Sequence, residues 1–170
     1  HGHAAEFLMI SYLFEVALKT IAVGLQATLS HRSPEQAYAM AYELVRADGL
    51  GAWEATVSRA TSPPLTAQLP PEVLPVATWA NKKRTRPEDE RLKRAASDAR
   101  QILSLLGFQD LPFAPTARGL ISTLIFIRNK TKAHGALGPD FFVCANPAYR
   151  SAVEAVIDTC PVFSWDWTYV

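Results

Sequence analysis

The chain has 170 residues, of which 49% are hydrophobic and 19% are charged, and its formal net charge at pH 7 is +1. This length suits one domain with a hydrophobic core, and the composition excludes an intrinsically disordered segment. A net charge so close to zero also excludes recognition of nucleic acid by total charge, so any such contact depends on a local patch.

The first predicted element is a long amphipathic helix from about Ala4 to Leu29. Apolar residues recur in it at three- and four-residue spacing: Phe7, Ile10, Phe14, Leu18, Ile21 and Leu25. The apolar run is long enough to span a membrane, but Glu15, Lys19 and Gln26 interrupt it. It also lacks the basic region that precedes the apolar part of a signal peptide. We therefore expect a buried helix in a cytoplasmic protein with no membrane segment.

Two shorter helices are predicted next. Ser33-Pro34-Glu35 provides an N-cap, a first-turn proline and an acidic first turn, so a helix begins there and ends near Asp48-Gly49. Another runs from about Trp53 to Ala60. Residues 62–87 then contain six of the twelve prolines and cannot form one long helix. We expect a proline-rich insertion that runs over the surface, with one short helix near Val73–Trp79.

Three more helices are predicted in the second half of the chain. The first begins at Pro87 with an acidic first turn and ends at Gly107. The second begins after Pro115, with Thr116 as a candidate cap, and carries an apolar stripe toward Gly135. The third runs from about Pro147 to Thr159.

These elements predict an all-α fold, an antiparallel helical bundle with a proline-rich insertion at about 62–87. Strand signals are confined to Phe141–Val143 and to the alternating aromatic and polar residues at 163–170. We assign residues 1–160 to one helical domain. Residues 161–170 are predicted to start a further segment, because their pattern suits a strand that leads into an additional domain after Val170.

The strongest chemical signal lies at the end of the helix that follows Pro115. There the apolar run 124–127 changes abruptly to Arg128-Asn129-Lys130-Thr131-Lys132-Ala133-His134. Arginine provides a permanently charged fork for phosphate, and histidine gains or loses a proton near neutral pH. A basic last turn also suits the helix dipole, so spacing and composition are equally consistent with a solvated helix end.

This run resembles the signature of the HEPN superfamily, in which an arginine and a polar residue are followed by a short spacer and a histidine near the end of a core helix. Here these positions are Arg128, Asn129, the spacer 130–133 and His134. The resemblance covers about residues 4–160 and implies a bundle of HEPN type. Many HEPN domains are metal-independent ribonucleases, so it also implies RNA cleavage by 2′-hydroxyl attack, a homodimer through the motif helix, and no metal or other cofactor.

The resemblance implies a role for each residue of the run. His134 would transfer protons, Arg128 would hold the phosphate and stabilise its developing charge, and Asn129 would orient the histidine or the phosphate by hydrogen bonding. Lys130 and Lys132 would bind flanking phosphates. The substrate would be single-stranded RNA or a tRNA loop, and the protein would belong to a bacterial stress or antiviral-defence system.

Helix geometry separates the two principal residues. Arg128 and His134 are six positions apart, about 600 degrees of turn, which places them about 120 degrees apart on an ideal helix. Arg128 shares its face with Lys132, and Lys130 shares one with His134. Either the helix loosens before Gly135, or the site is completed across a dimer.

Two other functions fit the same sequence. One is a non-catalytic HEPN-like module that dimerises or senses a nucleotide for a neighbouring domain, and the other is an interaction domain whose basic run is only a solvated helix end. We interpret His31 as incidental and the basic run at 82–86 as a solvated loop. Cys144 and Cys160 are expected to be reduced packing residues, and the four tryptophans are expected in the core or an interface.

Overall fold

The computed structural model describes residues 2–47, 49–83, 89–109, 115–133 and 137–167, with Lys132 and Ala133 described only as backbone. Within these ranges the chain is helical and contains no strand, which confirms the all-α class. The α-helices are α1 Gly2–Ser30, α2 Pro34–Arg46, α3 Leu50–Ala60, α4 Leu74–Asn81, α5 Glu90–Leu105, α6 Ala117–Ala133 and α7 Pro139–Thr159. Single 3-10 turns lie at Leu65–Gln68 and Pro161–Ser164.

The core is organised around α1, which packs against α2, α3 and α7, while α5 packs against α6 and α7. All six residues of the predicted apolar repeat in α1 are buried. Residues at three- and four-residue spacing share one helix face, so burial of that face removes a continuous apolar surface from water.

The opposite face of α1 is apolar too, which the amphipathic prediction did not anticipate. Its exposed large hydrophobic residues are Leu8, Met9, Tyr12, Leu13, Val16 and Val23. By length and composition α1 is able to cross a membrane, and half of its most apolar window is buried inside the protein. Core helices of soluble proteins and signal sequences share these properties, so the helix alone does not assign a location.

An aromatic cluster joins α1 to the start of α7. Phe7 stacks on Tyr149 with ring centroids 4.4 Å apart, and it meets the edge of Phe142 at 5.6 Å. The strand predicted at Phe141–Val143 is therefore wrong, because these residues lie in the first turns of α7. Packing against Phe7 outweighs the strand preference of aromatic and β-branched side chains.

The start of α7 was also predicted too late. Pro139 occupies the first turn, where its missing N–H costs no hydrogen bond, and Pro147 lies inside the helix rather than at its start. An internal proline leaves the carbonyl four residues earlier, that of Val143, without its helical donor. Val143 and Pro147 are both exposed, so water can donate a hydrogen bond to that carbonyl.

Residues 62–83 pack against the bundle instead of forming the predicted surface excursion. Their apolar side chains at Leu65, Leu69, Val73 and Val76 are buried in the common core. Trp79 is also buried, and its indole N–H donates to the Thr159 hydroxyl at 2.9 Å. The short helix predicted near Val73–Trp79 is confirmed as α4, whereas residues 84–88 lie outside the described residues.

The local signals around α6 are confirmed. Gly107 has φ of +83° just after α5, a conformation that costs glycine little. The Thr116 hydroxyl accepts a hydrogen bond of 3.0 Å from the Gly119 N–H and so caps α6. Buried residues of α6, namely Leu120, Ile121, Leu124, Ile125 and Ile127, then fix the helix against the bundle. The C-terminal end of α6 is thereby held in a defined position.

Candidate functional site

Arg128 lies near the end of α6 and reaches across to the middle of α1. Its Nη2 group donates a hydrogen bond of 3.0 Å to Oε2 of Glu15. The two side chains retain 18% and 22% of their accessible surface, so the pair is largely shielded from solvent. Shielding strengthens the attraction between two charges, and the pair holds the guanidinium in one place.

Glu15 is shared between two cations. Its other oxygen, Oε1, accepts a hydrogen bond of 2.8 Å from Nζ of Lys19, one turn further along α1. The hydrogen bond from Lys19 and the positive charges of Lys19 and Arg128 lower the pKa of Glu15 below its ordinary value, against an opposing effect of burial. With the carboxylate ionised, this group of two cations and one anion keeps a net positive charge, which favours an anion nearby.

Arg128 also contacts its neighbour Asn129. Nη1 of Arg128 donates to Oδ1 of Asn129 at 3.3 Å, and the Asn129 side chain is exposed. A guanidinium carries five N–H groups, and these contacts with Asn129 and Glu15 use two of them. The fork is therefore oriented from both ends and retains donors for a phosphate oxygen.

Lys130 lies on a different side of α6. Its ammonium group is 5.3 Å from the ring centroid of Phe108 and 5.4 Å from that of Phe126, and the two rings meet edge to face. Two positions along a helix correspond to about 200 degrees, so Lys130 and Arg128 point in nearly opposite directions. The structure does not bring Lys130 into the Arg128 cluster.

The remaining motif residues are not described in the same detail. His134 and Gly135 lie outside the described residues, and Lys132 is described only as part of the α6 backbone. The predicted angular separation of Arg128 and His134, and its resolution across a dimer, therefore stay predictions.

Glu15 and Lys19 are the site residues that the sequence interpretation missed. They were read only as interruptions of an apolar helix, whereas the structure uses them to position Arg128. The available signal was a Glu–Lys pair at four-residue spacing in an otherwise apolar run. That pair already compensates the carboxylate, so it gave no indication of a second cation from another helix.

The tryptophans and cysteines were predicted to be packing residues, and the structure confirms this for some of them only. Trp79 is buried, and Trp53 and Trp165 pack against the core, whereas Trp167 is 48% exposed. Cys160 is a buried packing residue as predicted, and burial raises the pKa of its thiol to about 12. Cys144 is exposed, so the packing prediction is wrong there. Across the described ranges, no group of three His, Cys, Asp or Glu side chains is placed to hold a metal ion.

Fold and site together define an all-α protein. Near its C-terminal end, α6 carries an oriented, partly shielded arginine beside an exposed asparagine. None of the family models, curated proteins or solved structures compared with the chain matches it. The resemblance to the HEPN superfamily therefore rests on the sequence motif alone.

Proposed function

We propose that the C-terminal end of α6 is the catalytic centre of a metal-independent endoribonuclease of HEPN type, in a bacterial stress or antiviral-defence protein. The observation that supports this proposal is the fixed orientation of Arg128 between Glu15 and Asn129. A cation that is positioned before the substrate binds stabilises developing charge without reorganisation during the reaction.

The proposed reaction uses the residues of the motif alone. The 2′-hydroxyl oxygen of a ribose attacks the adjacent phosphorus, and the bond from phosphorus to the 5′-oxygen of the next nucleotide breaks. The products are a 2′,3′-cyclic phosphate and a free 5′-hydroxyl. His134 transfers the proton from the attacking oxygen toward the leaving oxygen, and Arg128 stabilises the extra negative charge on the phosphate. Asn129 orients Arg128, while Lys130 and Lys132 bind neighbouring phosphates.

The proposal includes a homodimer that places two motif helices close together. The exposed apolar face of α1 supports it, because Tyr12 and Val16 lie within a turn of Glu15 and are 57% and 61% exposed. Contiguous apolar residues on a surface are typical of an interface. A second copy that covers this face would bring its own α6 end toward the first one.

A second candidate is a non-catalytic HEPN-like module that dimerises or senses a ligand. The Arg128–Glu15 pair favours it in one respect, since the arginine already has a carboxylate partner in its own chain. In that case Arg128 is a structural residue that ties α6 to α1.

RNA cleavage in EDTA distinguishes the two candidates. We expect the purified protein, with its oligomeric state measured, to produce 2′,3′-cyclic phosphate ends in EDTA. Arg128→Ala and His134→Ala should each lower the rate constant about a hundredfold to ten-thousandfold. Arg59→Ala is the matched control, because Arg59 also pairs with a glutamate, Glu43 at 3.1 Å, but on α3 and α2. Equal background cleavage by all four proteins would exclude an autonomous nuclease and favour the non-catalytic module.

A further inference from the structure

A concave surface lies where the end of α1 meets the segment after α7. It is a cleft of about 460 Å³, within the range of small-molecule sites. The indoles of Trp165 and Trp167 line one part, and His31, Arg32 and Asp166 line another. Thr28 in this cleft is thirteen positions from Glu15 along α1, a distance of about 20 Å. The cleft is therefore separate from the Arg128 site.

Gly24 shows that the position of the two indoles is built into the sequence. Glycine in a helix interior costs about 1 kcal/mol relative to alanine, so its presence in α1 calls for a reason. A Cβ atom at Gly24 would lie 3.0 Å from Cη2 of Trp167 and 3.1 Å from Cζ3 of Trp165. The missing side chain allows both rings to lie on the helix backbone. The indole N–H of Trp167 also donates to the Val162 carbonyl at 3.2 Å, which fixes that ring further.

The polar residues of the cleft indicate an anionic ligand with an aromatic part. Among the described residues, the Arg32 guanidinium has no ion-pair partner, and its side chain is exposed. Arginine binds phosphate with two parallel hydrogen bonds, and the neighbouring His31 adds a further donor. The half-exposed ring of Trp167 offers a surface on which a base can stack. The Asp166 carboxylate, on the same segment, can accept hydrogen bonds from hydroxyl groups.

We propose that this cleft binds a mononucleotide, with its base on Trp167, its phosphate on Arg32 and His31, and its ribose hydroxyls on Asp166. The combination argues against simpler ligands. An inorganic anion would make no stacking contact with the indoles, and an organic cation would be repelled by the positive charge of Arg32. The volume accommodates one nucleotide rather than an RNA strand. The ligand would reach the protein at a place remote from the proposed cleavage site.

Isothermal titration calorimetry with AMP, GMP, CMP and UMP tests the proposal, together with quenching of tryptophan fluorescence. We expect at least one monophosphate to bind, its nucleoside to bind about tenfold more weakly, and inorganic phosphate not to bind measurably. Trp167→Ala should weaken nucleotide binding about tenfold, because one stacking surface is lost. Arg32→Ala should weaken the nucleotide to the level of its nucleoside and leave nucleoside binding unchanged.

Matched variants keep these outcomes distinct. Arg46→Ala removes an exposed arginine that lies 5.7 Å from the Tyr42 ring, outside the cleft, and should leave binding unchanged. If Trp167→Ala lowers the helical signal in circular dichroism, the loss of binding in Arg32→Ala tests the proposal instead. Arg32 is exposed in a turn, so its replacement should not disturb the fold. Three results would overturn the proposal: no binding of any monophosphate at millimolar concentration, binding that survives Arg32→Ala but is lost in Arg128→Ala, or tighter binding of a ribotetranucleotide than of every monophosphate.

Discussion

The Arg128 guanidinium and the Glu15 carboxylate meet at 3.0 Å although they are 113 positions apart in the sequence. The contact joins the end of α6 to the middle of α1, the helix around which the core is organised. Both side chains are neither fully buried nor freely exposed. The strength of this pair is therefore expected to lie between that of a surface ion pair and that of a buried one.

A double-mutant cycle measures this strength. Glu15→Gln, Arg128→Met and the double variant should give a coupling free energy of unfolding of about 1–2 kcal/mol in urea titrations. The control cycle uses Glu43 and Arg59, whose side chains are 64% and 39% exposed. Their coupling should stay below about 0.5 kcal/mol, because solvent screens exposed pairs. Equal coupling in the two cycles would contradict a special role for the Arg128 pair.

Stability should depend on pH through the same carboxylate. Its contacts with Lys19 and Arg128 lower the pKa of Glu15 below the ordinary value of 4.5. A depressed folded-state pKa contributes stability that is present above pH 4.5 and is lost as the pH falls through the folded value. In urea titrations over this acid range, the free energy of unfolding of Glu15→Gln should fall less steeply than that of the parent. A parallel fall in both proteins would show that Glu15 does not contribute.

A second carboxylate provides an internal reference for that experiment. Hydrogen bonds from Arg150 and Asn146 lower the pKa of Glu6, and the residue is present in both proteins. Some acid sensitivity should therefore persist in Glu15→Gln, and Glu6→Gln should reduce it further.

The helices were largely predictable because their determinants are local. Apolar spacing identified α1, Pro34 marked the start of α2, and Gly107 marked the end of α5. The errors occurred where long-range packing outweighs local preference. Phe141 and Phe142 look like strand residues in isolation, yet they belong to α7 because they pack against Phe7 from the other end of the chain.

The candidate site was predictable only in part for the same reason. Sequence spacing indicates which residues share a helix face, and it separated Arg128 from Lys130 in advance. It does not indicate which distant residue faces them, so neither Glu15 nor Phe108 was anticipated as a partner. The sequence likewise gave no reason for a glycine at position 24. The reason is that the indoles of Trp165 and Trp167 pack against the helix there.

The proposed dimer depends on the apolar face of α1. Val16→Glu places a charge within this face and should convert a parent dimer to a monomer of unchanged helical content, measured by light scattering after size exclusion and by circular dichroism. Val45→Glu is the control, since Val45 is 85% exposed but lies on α2. A monomeric parent, or equal dissociation by both variants, would exclude an interface on this face.

The position of the site also depends on the packing of α6. Leu124 is fully buried one turn before Arg128. Leu124→Ala should lower the free energy of unfolding by about 2–5 kcal/mol, because the lost transfer energy adds to the cost of a cavity. Ser122→Ala removes an exposed side chain from the same helix, together with its hydrogen bond of 2.7 Å to Glu54 on α3, and should change the free energy of unfolding by about 1 kcal/mol or less. A loss below about 1 kcal/mol in Leu124→Ala would contradict a role for packing at this position, since alanine is at least as favourable as leucine in a helix.

Lys130 is expected to bind RNA without taking part in the reaction, since it lies over Phe108 and Phe126 rather than beside Arg128. Lys130→Gln should therefore raise KM and leave kcat unchanged, the signature of binding that is equal in the ground and transition states. It should also reduce the slope of log affinity against log salt by about one, as loss of a single phosphate contact does. Arg128→Ala is the comparison and should lower kcat instead. A fall in kcat with Lys130→Gln would place this lysine at the reacting phosphate and would require α6 to be rearranged when RNA binds.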